Sequence, residues 1–176
     1  MRNISVFSLI FIIVLGCSES KEELINKIEN SRKEIFEKPT KDVDVNIAKT
    51  LIKEYQDFID KFPMDTNVAI YLFQQAQIYK SIGEIENSIK AWEVICEKYP
   101  DSKLAAKSLF LQGFTYENDL KIIIKAQQKY SLFLEKYPNH VLAESAKFSL
   151  ANIGKPTNQI IQEFEAKSTQ KDSMVN

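Results

Sequence analysis

The sequence is poor in residues that break helices. Its 176 residues include only four glycines and five prolines. Alternation of apolar and polar residues is scarce too, so the chain reads as helical. Basic residues hold no surplus: 23 Lys and Arg stand against 24 Asp and Glu, a net charge of −1. Gripping a phosphate backbone needs a cationic footprint, which excludes nucleic acid as a partner. Histidine occurs once, as His140, and cysteine twice, as Cys17 and Cys96. His140 lies in a turn after Pro138-Asn139, and it pairs with a thiol only if folding brings the two together. There is no glycine-rich phosphate loop. Asp42 and Asp44 flank Val43, but two carboxylates without further oxygen ligands make a poor metal site. No catalytic constellation, metal or cofactor is expected, so the chain reads as a non-enzyme.

One long apolar run is present. After Met1-Arg2-Asn3 the chain runs from Val6 to Gly16 almost without a polar residue. A bilayer-spanning helix needs roughly 20 apolar residues, so the run suits a secretory signal better than a permanent span. Its end, Val14-Leu15-Gly16-Cys17, resembles the bacterial lipobox. That resemblance implies removal of residues 1–16, a diacylglycerol on the Cys17 thiol and acylation of the new amino group. The other reading is an ordinary signal with an incidental cysteine. Ser18 stands where aspartate, in the Gram-negative sorting rule, retains a lipoprotein at the inner membrane. The resemblance therefore points to the outer membrane, facing the periplasm. Lipidation of Cys17 leaves Cys96 with no partner for an intrachain disulfide. Cys96, on an apolar helix face beside Ile95, reads as a small core residue rather than a reactive thiol.

The remaining chain, about 160 residues, is enough for one domain with a core. It repeats itself. Three segments end alike, at Phe62-Pro63, Tyr99-Pro100 and Tyr137-Pro138, with the prolines 37 and 38 residues apart. Eight residues before each proline stands a large aromatic: Tyr55, Trp92 or Tyr130. Ten residues after each stands Phe73, Phe110 or Phe148, and three further on a small residue, Ala76, Gly113 or Ala151. These are helical spacings that run into a proline stop. Asp101-Ser102 and Asn139 are placed to cap the following helices. The pattern predicts antiparallel helices near 20–37, 45–62, 67–81, 85–99, 103–117, 121–137 and 141–153, with a short one near 157–167. Gly83 and Glu117-Asn118-Asp119 are the hairpin turns. The implied organisation is a signal over 1–16, a stem helix and linker over 17–44, repeats over 45–154, and a short helix with a frayed tail over 155–176.

Ala76, Tyr79, Gly83, Trp92 and Pro100, and again Gly113, Tyr116, Tyr130 and Pro138, resemble tetratricopeptide repeats (TPRs). Ser88 stands where the family favours alanine. The variant Glu97-Lys98-Tyr99-Pro100-Asp101-Ser102, followed by Ala105-Ala106, is similar to repeats of envelope lipoproteins related to BamD and of the Tol-Pal-associated coordinator. The resemblance implies an all-α fold of helix hairpins stacked as a short α-α solenoid, two full repeats flanked by halves. It also implies a non-enzymatic scaffold that binds an envelope protein or peptide, or a small accessory subunit of an outer-membrane or division assembly.

In such a solenoid the first helix of each hairpin lines the concave side. The candidate contact residues are Phe73, Gln77, Lys80, Lys107, Phe110, Phe114, Glu117, Phe148 and Asn152, with Ile70 and Ser145 beside them. Phe73, Phe110 and Phe148 recur at one position, so they either face a partner or pack between hairpins. Phe114 does not recur, since Gln77 and Asn152 are its counterparts, and if exposed it is the leading contact. Tyr79, Tyr99, Tyr116 and Tyr137 read as core. Over 22–38, Leu24, Ile28 and Ile35 share a face interrupted by Ser31. That segment is a cap helix, a tether stem or a short coiled coil. Ile160 to Phe164 is expected to cover the open end of the stack.

Overall fold

A computed structural model describes residues 19–36, 44–163 and 165–166. It contains seven helices: α1 (Lys21–Phe36), α2 (Val45–Lys61), α3 (Val68–Ser81), α4 (Ile85–Lys98), α5 (Ala105–Asn118), α6 (Ile123–Lys136) and α7 (Ala143–Asn152). A further helical segment begins at residue 157. There is no strand among the described residues. Every predicted bound of α1 to α7 lies within two residues of the observed one. Each helix packs against the one before it and the one after it.

Local chemistry starts the first two helices. Ser20 and Glu23 form a reciprocal capping box: Glu23 N–H donates to Ser20 Oγ at 3.2 Å and Ser20 N–H to Glu23 Oε2 at 2.7 Å. Asp44 caps α2 by accepting the N–H groups of Asn46 and Ile47.

The ends of α2, α4 and α6 are copies of one another. Phe62, Tyr99 and Tyr137 close them with φ of −128°, −130° and −132° and ψ of 55°, 51° and 53°. This backbone sets each following proline outside the helix, where its missing N–H costs nothing. Two residues past each proline, one side chain accepts the backbone N–H two places on. Asp65 takes Asn67 at 2.8 Å, Ser102 takes Leu104 at 3.2 Å, and His140 takes Leu142 through Nδ1 at 3.1 Å. Ser102, one of the expected pair Asp101-Ser102, thus shapes the turn before α5, whereas His140 and not the expected Asn139 shapes the turn before α7. The lone histidine has a turn-forming role, and its ring lies edge-on to Phe133.

The hairpin turns use left-handed backbone, at Gly83 (φ 82°), Lys121 (φ 57°) and Gly154 (φ 81°). The α5–α6 turn therefore pivots on Lys121, beyond the predicted Glu117-Asn118-Asp119.

Two apolar clusters fill the interior. The first joins α1 to the start of α5, around Leu24, Ile28, Leu51, Tyr55, Phe58, Trp92 and Ile95. Tyr71 stacks on Tyr55 at 5.2 Å and meets Phe58 edge-on at 4.8 Å. The second, around Tyr130 and Phe133, joins α5, α6 and α7. Leu24 and Ile28 are 1% and 0% exposed. Of the readings open for residues 22–38, packing onto the solenoid is the one observed for the described part, residues 22–36. α1 and α2 form a complete first hairpin, so three full hairpins precede α7 instead of two.

Candidate functional site

The first helices α1, α3 and α5 carry equivalent positions. Ser31, Ala76 and Gly113 each stand five residues before the end of their helix. One residue on, Arg32, Gln77 and Phe114 form a row across the three helices, and Asn152 continues it on α7 by its distance from Pro138. Gln77 and Phe114 are exposed and Arg32 is half-buried.

Two depressions adjoin along this row. One, of about 490 Å³, lies between α1, α2 and α3 and is lined by Arg32, Ile35, Tyr55, Gln74, Gln77, Ile78 and Ser81. The next, of about 480 Å³, lies between α3 and the start of α5 and includes Thr66, Ile70, Phe73 and Lys103. Gln74 and Gln77 belong to both. Tyr55 OH donates to Gln74 Oε1 at 2.8 Å, which leaves the Gln74 amide hydrogens as donors. Burial raises the Tyr55 pKa, so its hydroxyl stays protonated and able to donate. The Gln77 side chain is exposed and makes no hydrogen bond to another described residue.

The expected strip divides into three groups. Phe73 and Gln77 line the depressions, with Ile70 43% exposed beside them. Lys107 is exposed and its ammonium stands 5.2 Å above the Phe73 ring, so Phe73 is buried beneath a cation. Phe114 and Phe148 are exposed, 42% and 59%. Ser145 is exposed as well, and Asn152 Nδ2 donates to the Phe148 carbonyl at 2.8 Å.

The other expected residues hold the fold together. Phe110 packs against Tyr130 and Phe133 at 5.5 and 5.7 Å. Glu117 accepts the Tyr130 hydroxyl through Oε2 at 2.8 Å. Burial raises the Tyr130 pKa, which keeps that hydroxyl a donor. Lys80 ion-pairs with Asp119, donates to Thr115 Oγ1 at 3.4 Å and lies 5.9 Å from the Phe114 ring centre. It braces α3 against α5. Cys17 lies outside the described residues.

The groove also includes polar residues outside the expected strip, among them Arg32, Tyr55, Gln74, Ser81 and Lys103. Counting back from the prolines conceals Arg32, because the segment between α1 and α2 is longer than the later hairpin turns. Counting back from the end of each helix recovers it.

The aromatics expected in the core differ in depth. Trp92 and Tyr130 are fully buried, while Tyr79, Tyr99, Tyr116 and Tyr137 are half-buried. Tyr99 OH also reaches the Pro63 carbonyl at 3.0 Å, which ties one hairpin to the previous one. Cys96 donates to the Ala105 carbonyl and accepts from Gln112 Nε2 at 3.4 Å, and burial pushes its thiol up to about 11. Such a thiol is a poor nucleophile near neutral pH. Among the described residues no group of three His, Cys, Asp or Glu side chains is placed to hold a metal ion. None of the described helices is long and apolar enough to cross a membrane.

A tetratricopeptide-repeat family model matches residues 71–102. The fold is an all-α, TPR-like solenoid. The matched TPR covers most of α3, all of α4 and the turn into α5, so it contains Gln74, Gln77 and Lys80. A TPR of this kind supports a scaffold for protein–protein interaction, and such folds typically lack catalytic activity. No curated protein matches the chain significantly.

Proposed function

We propose that the chain is a lipid-anchored, non-enzymatic TPR scaffold of the bacterial cell envelope. In this reading it holds a protein segment in the groove between α1, α3 and α5. The observation that carries the binding role is the pair of adjoining depressions, which share Gln74 and Gln77. An extended peptide laid over them would meet amide groups for its backbone and apolar walls for its side chains. The Val14-Leu15-Gly16-Cys17 motif supports the anchor and Ser18 supports the outer membrane, facing the periplasm. Likeness of Glu97 to Ser102 to BamD-related and Tol-Pal-associated repeats supports a partner within an envelope assembly.

Placing a photo-crosslinking residue at Gln77, at Phe114, or at the exposed Lys49 on α2 tests the groove. The same dominant adduct is expected from Gln77 and Phe114 but not from Lys49. Equal adducts from all three positions would count against a groove partner. Fatty-acid labelling tests the anchor: label is expected on the native chain and none on Cys17→Ala.

A further inference from the structure

Charge is distributed unevenly over the groove. The chain as a whole carries a net charge of −1. Among the described residues, however, no aspartate or glutamate lines either depression, while Arg32 lines one and Lys103 the other. Glu29 engages one Arg32 nitrogen at 2.7 Å. A guanidinium offers five N–H donors, so the rest stay available. Lys107 adds a further cation above Phe73. The polar neutral groups lean the same way, because Gln74 presents its amide hydrogens once Oε1 has accepted Tyr55. Ile70, exposed, lines the second depression, and the exposed ring of Phe114 stands next to Lys80, one turn along α3 from Gln77.

We propose that the groove takes an extended peptide segment in which carboxylates alternate with apolar side chains. The carboxylates meet Arg32 and Lys103, the apolar groups meet Ile70 and Phe114, and the backbone bonds to Gln74 and Gln77. This rests on the reading of the groove as a protein-binding site and names the chemistry of its partner. Arginine suits the carboxylate role because its planar fork can hold both oxygens. Charge complementarity of this kind selects a partner more than it adds raw affinity, so discrimination between peptides is the quantity to measure.

The test uses the full chain in detergent and three short fluorescent peptides, read by anisotropy. They alternate leucine with glutamate, with glutamine or with lysine. The glutamate peptide is expected to bind about tenfold or more tightly than the lysine peptide at low salt, with the gap closing as salt rises. Arg32→Glu/Lys103→Glu should reverse that order while keeping a cooperative melting curve, since Lys103 is exposed and the half-buried Arg32 lies outside both apolar clusters. A native chain that binds the lysine peptide as well or better would overturn the proposal, and so would a double variant that keeps the native order. If no peptide binds while the adducts at Gln77 and Phe114 persist, the acidic chemistry is wrong and the groove stands. If those adducts match that at Lys49, the groove reading itself fails.

Discussion

Gly113 on α5 faces the ring of Tyr130 on α6 so closely that a Cβ there would lie 2.9 Å from ring atoms Cδ1 and Cε1. The ring has nowhere to go: Tyr130 is 0% exposed and its hydroxyl is held by Glu117. Gly113→Ala adds helix propensity worth about 1 kcal/mol. It also overpacks the hairpin, at a cost of about 1–3 kcal/mol. The expected net result is a loss of about 1 kcal/mol in urea unfolding, with Gly113→Val losing more.

The turn residues should respond in opposite directions. Lys121 holds a left-handed φ of 57° that a side chain resists, and Gly83 holds φ 82° with no atom near its open side. Lys121→Gly is expected to stabilise the chain by about 0.5–1 kcal/mol, and Gly83→Ala to destabilise it by about 1 kcal/mol. Thermal unfolding of the two variants beside the native chain measures both.

Phe110 and Phe114 are one helical turn apart and should separate stability from binding. Phe110→Ala removes ring contacts to Tyr130 and Phe133 and should cost about 2–3 kcal/mol. Phe114→Ala empties an exposed position and should cost under about 1 kcal/mol. Only Phe114→Ala should weaken partner capture at unchanged melting temperature. Equal destabilisation by the two variants would mean that Phe114 is a packing residue.

Acid should loosen the first hairpin. Lys21 at the start of α1 pairs with Asp65 in the turn before α3. That hydrogen bond, followed by the Asn67 backbone N–H, lowers the Asp65 pKa. A carboxylate with a depressed folded-state pKa stabilises the fold above its unfolded value, near pH 4, and loses that effect as pH falls through the folded value. Native chain should therefore be more stable than Asp65→Asn near neutral pH, and the two should converge in acid. A difference independent of pH would show that the ion pair contributes nothing.

Much of this architecture is legible in the spacing of three prolines. They stop α2, α4 and α6, and the aromatic eight residues earlier marks the buried face of each helix. The place of α1 was harder to read, because the longer segment before α2 shifts Ser31 and Arg32 out of step with Ala76 and Gln77. Burial along the phenylalanine row could not be read from recurrence either. Phe73 lies under Lys107 and Phe110 against α6, whereas Phe148 on α7 is left exposed by the described residues that follow it. One repeat position thus yields three environments, set by what the neighbouring hairpin supplies. Tyr55 and Gln74 join the groove through a bond between hairpins, which no single repeat displays.

Ala151 occupies the position at which Ala76 and Gly113 are buried, yet it is exposed, and Ile161 in the following helical segment is 52% exposed. Residues 160 to 163 therefore cover the end of the stack only in part, and Phe164 lies outside the described residues. In a one-dimensional array each hairpin draws its stability from its nearest neighbours. Among the seven helices α7 packs mainly on α6, and the described residues after it do not close over it as α2, α4 and α6 close over their partners. Unfolding is therefore polarised: α7 opens first, at a free energy below that of the whole chain, and the opening spreads toward α3 and α4. Amide exchange should grade along the chain in that order. The end that yields first lies farthest along the sequence from Cys17, so a lipid-held copy would keep its groove folded while its free end comes undone.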